Sequence, residues 1–222
     1  MPKPTYTILH EDATLLVVDK APGVLTVGHP GRAERCLLDD LRRDGHKVAP
    51  VHRLDRETSG ALLLCLDPAH RQALEQAFRR REVEKDYLAL VTGVPSPARA
   101  VIDVPILDEG AAARIDRRGQ RAISRYELLE KLPGRRGGAA LLRVAIDTGR
   151  HNQIRLHLSH IGHPLLGDRK YGPRPTAGDP SPPRTLLHAA RLALVHPATG
   201  RKLTVEAPLP PDFTEWLDRL RH

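Results

Sequence analysis

The apolar positions of this chain fall mostly into short runs rather than into long helical stripes. Residues 14–19 (TLLVVD) are an apolar, β-branched run that breaks at Lys20, Ala21, Pro22 and Gly23, a strand entering a turn. Residues 60–66 (GALLLCL) are continuously apolar over the length of a strand, the pattern of one buried on both faces. Strand character also marks 87–92, 122–132, 141–147, 186–196 and 202–207. Helical patterns are fewer. Residues 36–44 read as a helix stopped by Gly45, and Asp67 caps another with Pro68 at its first position. That second helix places Ala69, Ala73, Leu74, Ala77 and Phe78 on one face and ends at Arg79, Arg80 and Arg81, where cations suit the helix dipole. Ile154, Leu158 and Ile161 share a helical spacing that stops at Gly162, and Asp212 with Glu215 reads as a capping box for a last helix. Many strands with few, scattered helices predict an α+β fold: a mixed, largely antiparallel central sheet with flanking helices and loops. Residues 173–184 (PRPTAGDPSPPR) read as a Pro-rich surface loop, and 133–138 (PGRRGG) as a hairpin tip.

At 222 residues, one domain is the default and two small ones are allowed. A hydrophobic share of 40% is enough to bury a core at this length, which excludes wholesale disorder. With one Trp, four Tyr and two Phe, the core is built from Leu, Val, Ile and Ala, and broad aromatic stacking platforms are not expected. Thirty-five Lys plus Arg against 27 Asp plus Glu leave a net charge of +8. That excess fits either a solvated basic surface or a polyanionic partner, and the dominance of Arg favours nucleic acid over a membrane. No apolar run approaches the ~20 residues of a membrane-spanning helix. Residues 1–6 lack the apolar stretch of a signal peptide, so a cytoplasmic location is expected. Cys36 and Cys65 fit no ligand or redox spacing and are expected to be reduced and buried.

Three segments carry candidate chemistry. Residues 52–60 (HRLDRETSG) place Asp55 between Arg53 and Arg56 just before the buried strand, where positive charge would hold its carboxylate ionised as a nucleophile or base. By spacing alone, a structural Asp–Arg pair at a strand start is the stronger reading. In residues 148–172 (TGRHNQIRLHLSHIGHPLLGDRKYG), Asn152, Arg155 and Ser159 share one helix face, so that Arg155 stands on a rigid element able to face a carboxylate or phosphate. Arg150 and Arg155 read equally as surface charges. Residues 84–93 (EKDYLALVTG) put Tyr87 at the start of an apolar strand, where a core tyrosine with a wet hydroxyl is the plainer reading.

Together these segments resemble the RluA-type family of pseudouridine synthases over nearly the whole chain. HRLDRETSG resembles the family's catalytic loop, with Asp55 in the position of its essential aspartate. DATLLVVDKAPGVLT resembles the opening motif, EKDYLALVTG the tyrosine motif, and TGRHNQIRLHLSHIGHPLLGDRKYG the third; LLHAARLALVHPATG and APLPPDF also fit. The resemblance implies that residues 1–222 are one pseudouridine synthase catalytic domain isomerising a uridine in tRNA or large-subunit rRNA. It further implies Asp55 as the catalytic carboxylate, Tyr87 against the target base, and Arg155 as the partner that keeps Asp55 ionised. Arg53 then enters the gap left by the flipped base, and His52, Arg56, Arg150 and Asn152 contact RNA. One departure stands out: Asn152 occupies a place where the family usually has His, with His151 one residue earlier. The chain also begins at the opening motif, so target choice is expected to rest on the catalytic domain itself. No cofactor and no metal are implied, and a monomer is the simplest expectation.

Two rival readings fit parts of the sequence. His151, His157, His160 and His163 lie close in sequence, but the turn after Gly162 disperses them and no acidic or Cys ligand completes a tetrahedral metal site. A non-catalytic RNA-binding protein or RNA chaperone is equally permitted by the charge, and the intact Asp55, Tyr87 and Arg155 speak against it.

Overall fold

The apolar run read at 60–66 is a strand, Ser59–Cys65, in which every residue is buried. The computed structural model describes residues 4–28, 34–110, 112–133, 137–173 and 181–222. Its elements, in chain order, are β1 (Tyr6–Glu11), β2 (Leu15–Lys20), α1 (Leu37–Arg43), β3 (Ala49–Pro50), β4 (Ser59–Cys65), α2 (Pro68–Arg79), β5 (Glu84–Thr92) and β6 (Arg99–Asp103). They continue as β7 (Ile106–Asp108), β8 (Ala113–Ile115), β9 (Ile123–Leu132), β10 (Ala139–Ile146), α3 (Gln153–His160), β11 (Leu187–Val195), β12 (Lys202–Glu206) and α4 (Pro211–Arg221). The fold is α+β, with mixed, largely antiparallel strand pairing, and the chain divides into two compact units.

One unit comprises Met1–Lys85 and Ala189–Pro210. Antiparallel β1 and β2 pair from Tyr6 opposite Lys20, and β2 pairs β4 from Leu15 opposite Cys65 to Lys20 opposite Gly60. Strand β11 lies beside β4 and carries β12 on its other side. Gly60 is required there: its φ is +110°, and a Cβ would sit 2.2 Å from the carbonyl oxygen of Ala189. The core packs Leu15, Val17, Leu63, Cys65, Leu74, Val83, Leu192 and Leu194 together. Only part of the apolar face read for α2 is used: Leu74 is buried and Ala77 and Phe78 pack on the core, while Ala69 and Ala73 stay exposed. Asp67 caps this helix as expected, accepting from the Ala69 N–H at 3.0 Å. Both cysteines are free and buried.

The other unit comprises Asp86–His188 and Pro211–His222. Here β5, β10, β9 and β6 pair antiparallel in that order, and β7 with β8 forms a separate two-stranded ribbon. Leu132 and Ala139 face each other across β9 and β10, so 133–138 joins neighbouring antiparallel strands; its residues 134–136, like 174–180 of the Pro-rich segment, lie outside the described residues.

One predicted cap is wrong. Helix α4 begins at Pro211, whose ring presets the first helical φ, so Asp212 sits in the first turn instead of at the cap. Its carboxylate is taken by the Arg184 guanidinium at 2.6 and 2.9 Å. Among the described residues no helix is long and apolar enough to cross a membrane.

Candidate active site

Asp55 lies in the loop between β3 and β4, and the residues on either side of it are both fastened. Before it, the Thr26 hydroxyl donates to the Leu54 carbonyl at 3.0 Å and accepts from the Leu54 N–H at 3.2 Å. After it, the Arg56 carbonyl accepts from the Gly23 N–H at 2.8 Å and from the Lys20 ammonium at 3.2 Å. Lys20 is fully buried, and its remaining donors go to the Ala21 and Val24 carbonyls, both at 2.9 Å. A buried ammonium is tolerated because three carbonyls replace its water. The Thr58 N–H closes the turn onto the Asp55 carbonyl at 3.1 Å. The lysine and threonine of the opening segment therefore fix the backbone of the catalytic-loop candidate, which is how two motifs about thirty residues apart come to act together.

His52 uses its ring inside the protein. Its Nε2 accepts from the Leu63 N–H of β4 at 2.9 Å, and the ring stacks on Phe78 of α2 with centroids 4.5 Å apart. Burial and the nearby Lys85 charge push its pKa down to about 3, so it is neutral at physiological pH. Arg53 is exposed, and Arg56 is half exposed with its guanidinium 3.3 Å from Glu34.

In the second unit Tyr87 is buried on β5 opposite Val144. Arg155, on α3, makes a two-pronged ion pair with Asp168 at 2.7 and 2.8 Å. A third nitrogen donates to the Asn152 side chain at 3.1 Å, and the guanidinium lies 5.1 Å from the Tyr171 ring centre. Asn152, buried in left-handed backbone with φ 53°, donates to the Tyr171 hydroxyl at 3.0 Å, which itself donates to the Ala113 carbonyl. Burial alone would raise the pKa of Asp168, but Arg155 and the N–H groups of Tyr171 and Lys170 hold it below the usual carboxylate range. Gln153 staples the start of α3: it accepts from Thr148 and from the Arg150 N–H and donates to Ile123 and Ser124. Arg150 itself donates to the Arg121 carbonyl at 3.3 Å.

Four of these supports, Lys20, Thr26, Asp168 and Tyr171, carry no role that the sequence pattern assigns. All four sit within segments quoted for the resemblance, and the signal was the presence of a buried-type carboxylate and ammonium beside turn residues. The clustered histidines separate: His157 bonds to Ser124 and Val104, His151 to Asp108 and His163 to the Thr92 carbonyl. Among the described residues no three His, Cys, Asp or Glu side chains gather as a metal-holding group.

A family model described as RNA pseudouridylate synthase matches residues 14–160. The chain is 37% identical to the dual-specificity RNA pseudouridine synthase RluA of Escherichia coli (strain K12), over 93% of this chain and 94% of that protein. The chain belongs to the RluA-type family of RNA pseudouridine synthases. Solved structures agree with this synthase in fold. Human RNA pseudouridylate synthase domain containing 4 superposes with a TM-score of 0.76 at 29% identity, covering 96% of this chain and 92% of that one. Human RNA pseudouridylate synthase domain containing 1 gives the same TM-score at 26% identity, covering 100% and 97%. The synthase is thus an RNA-modifying isomerase, and the reading as a non-catalytic RNA-binding module is set aside.

The two-sided anchoring of Asp55 makes a local prediction. Thr26→Val removes the hydroxyl that serves both backbone groups of Leu54, leaving them buried and unmet at a cost of about 1–3 kcal/mol. The variant is expected to lose turnover well beyond its loss of stability, because the loop carrying Asp55 shifts. A melt shows the first quantity and a tritium-release assay the second; normal turnover in the folded variant would show the anchor to be irrelevant to chemistry.

Proposed function

We propose that this synthase acts as one catalytic domain over residues 1–222, as a cytoplasmic monomer. Its target is a uridine in a stem-loop of tRNA or large-subunit rRNA, and Asp55 is the catalytic carboxylate. The observation that supports this reading best is the fastening of Leu54 and Arg56, which holds one acidic residue in place on a buried strand's leading edge. The reaction breaks the bond from the ribose to the uracil ring nitrogen, turns the ring, and rejoins the ribose to carbon-5, with loss of the carbon-5 proton and gain of a proton on the freed ring nitrogen. It is isomeric, so it consumes no oxidant, nucleotide or co-substrate. Asp55 either attacks the sugar or takes a proton from it. Tyr87 sits against the base and takes the carbon-5 proton, and Arg155 supplies the positive charge that keeps Asp55 ionised in a dry site. Arg56 and Arg150 contact the RNA, and His52 and Asn152, for which the same contact is expected, use their side chains within the protein: His52 on Leu63 and Phe78, Asn152 on Tyr171 and Arg155. The name of the Escherichia coli relative states dual specificity, which favours keeping both RNA classes as candidate substrates.

Tritium release from RNA made with uridine labelled at carbon-5 tests the reaction, run in parallel on unfractionated tRNA and on rRNA fragments. Release above background on either RNA, with a new pseudouridine at one position, is the expected result. No release from either under folding conditions would overturn the proposal. Dialysis against EDTA is expected to leave turnover intact on prefolded RNA, and a loss restored only by zinc would bring back a metal reading.

Arg53 gives a sharper expectation. A uridine must leave its stack before it can react, at a cost of a few kcal/mol that is least for mismatched or loop nucleotides. If Arg53 fills the vacated space, Arg53→Ala slows reaction at a stacked uridine more than at one already mismatched. Rates on two such synthetic hairpins check this; equal losses would make Arg53 a phosphate contact.

A further inference from the structure

We propose that Arg79, Arg80 and Arg81 form a phosphate-binding ridge that grips the RNA beside the target nucleotide. The proposal rests on the reading of this chain as an RNA-modifying enzyme and adds a specific substrate contact to it. Helix α2 begins three residues after the end of β4 and runs back beside it, so that its last turn meets the loop that leads into β4. The start of β4 is where the loop carrying Asp55 enters. Phe78, the residue before Arg79, stacks on His52, which lies three residues before Asp55 and accepts from the Leu63 N–H of β4.

The three arginines are exposed, and among the described residues none forms an ion pair or side-chain hydrogen bond. Their backbone, in contrast, is fixed. The Arg80 N–H donates to the Gln76 carbonyl, the Arg81 N–H to Phe78 and the Glu82 N–H to Ala77, while Val83 is buried in the core immediately afterwards. Arg81 turns in left-handed backbone with φ 65°, just beyond the end of the helix. The nearest acidic strand residue, Glu84, is already occupied by Lys202 and Arg191. Lys85 adds a further positive charge over the Phe78 ring at 5.6 Å. Exposed guanidinium groups carried on a fixed backbone beside the loop that holds Asp55 are available to phosphate, and Arg is the side chain that binds phosphate with two parallel bonds.

The opposite end of β4 supplies the contrast. There an open cleft of about 620 Å³ is lined by Arg42, His46, Lys47 and Arg71. Its cations are largely spent within the protein: Arg42 lies 3.6 Å from Asp39, His46 3.4 Å from Glu11 and Arg71 2.8 Å from Glu75. Two basic clusters of similar composition thus differ in whether their charge is available.

The test measures binding of unfractionated tRNA to the full chain across a salt series, which reads phosphate contacts whether or not that RNA carries the target uridine. Each phosphate neutralised contributes about 0.7 to the slope of log affinity against log salt. The triple variant Arg79→Gln, Arg80→Gln, Arg81→Gln is expected to lower the slope by about 2 and to weaken binding at least tenfold at low salt. Glutamine keeps the helix propensity and leaves a non-glycine residue at position 81, so the backbone is not disturbed. The triple variant to Lys keeps most of the slope. The control variant Arg42→Gln, Lys47→Gln, Arg71→Gln removes the same charge at the far end of β4 and is expected to change the slope by less than one. Equal losses in the two glutamine variants would reduce the effect to net charge and overturn the ridge, as would an unchanged slope in the first. A chain that binds RNA with this pattern but releases no tritium from any RNA would sink the catalytic proposal while leaving the ridge standing.

Discussion

Asp55→Asn is expected to abolish pseudouridine formation while leaving RNA affinity within several-fold of the parent. The amide has the shape of the carboxylate but neither its basicity nor its nucleophilicity. Loss of one proton transfer alone costs about 10²–10⁴ in rate, and loss of a covalent step costs more. Folding is expected to survive, because what fastens the loop is the backbone of Leu54 and Arg56, held by Thr26, Lys20 and Gly23, and the Thr58 N–H that closes the turn meets a main-chain carbonyl. The variant therefore separates binding from chemistry. Single-turnover assays with saturating enzyme check it: product formed at a rate near the parent's would remove Asp55 from the mechanism.

Arg155→Ala is expected to have two large effects. Turnover falls severely, since the charge proposed to keep Asp55 ionised is gone. Stability falls as well, because Asp168 is left buried with its two-pronged partner removed; breaking one side of such a pair costs about 3–5 kcal/mol. The sign of the pH dependence follows from Asp168. In the parent its pKa is lowered, so its stabilisation is fully present above the ordinary carboxylate range and is lost as pH falls through the folded-state value. In the variant the largest lowering influence is gone while the Tyr171 and Lys170 N–H groups remain, so that pKa moves up from its folded value in the parent and protonation relieves the unpaired charge at low pH. The stability gap between parent and variant should accordingly narrow as pH drops through about 5 to 3. Denaturant melts over that range check it. A gap that stayed constant would show that the Arg155–Asp168 pair contributes no pH-dependent stability. Asp168→Asn, which removes the carboxylate that pairs with Arg155 and leaves its bond to Asn152, is expected to lose activity by loosening the guanidinium, and a pH–rate profile identical to the parent's would contradict that positioning role.

What the sequence disclosed follows from what kind of signal each element carries. Strand β4 and helix α2 were legible because a continuous apolar run and an Asp-Pro cap are local and unambiguous. Strand β1, in contrast, has no buried residue and no strict alternation, and it carries His10 and Glu11, so its polar composition hid it. The short strands β6, β7 and β8 lie between turns and take their order from pairing with β9 and with each other, which no local pattern announces. The cap misread at α4 is of the same kind, since Arg184 claims Asp212 from 28 residues away. At the candidate site, Asp55, Tyr87 and Arg155 stood out through motif resemblance. Their supports did not, because the bonds from Lys20 to Arg56 and from Arg155 to Asp168 link residues 36 and 13 apart whose proximity only the folded chain creates.

The central claim, that this chain makes pseudouridine at a defined uridine of cellular RNA using Asp55, is tested most directly by mapping. Pseudouridine is located at single-nucleotide resolution in total RNA from cells with the gene, cells without it, and deleted cells carrying either the parent or Asp55→Asn. The account predicts one or a few stem-loop positions in tRNA or large-subunit rRNA that vanish on deletion, return with the parent and stay absent with the variant. Identical maps with and without the gene, or equal restoration by Asp55→Asn, would contradict it.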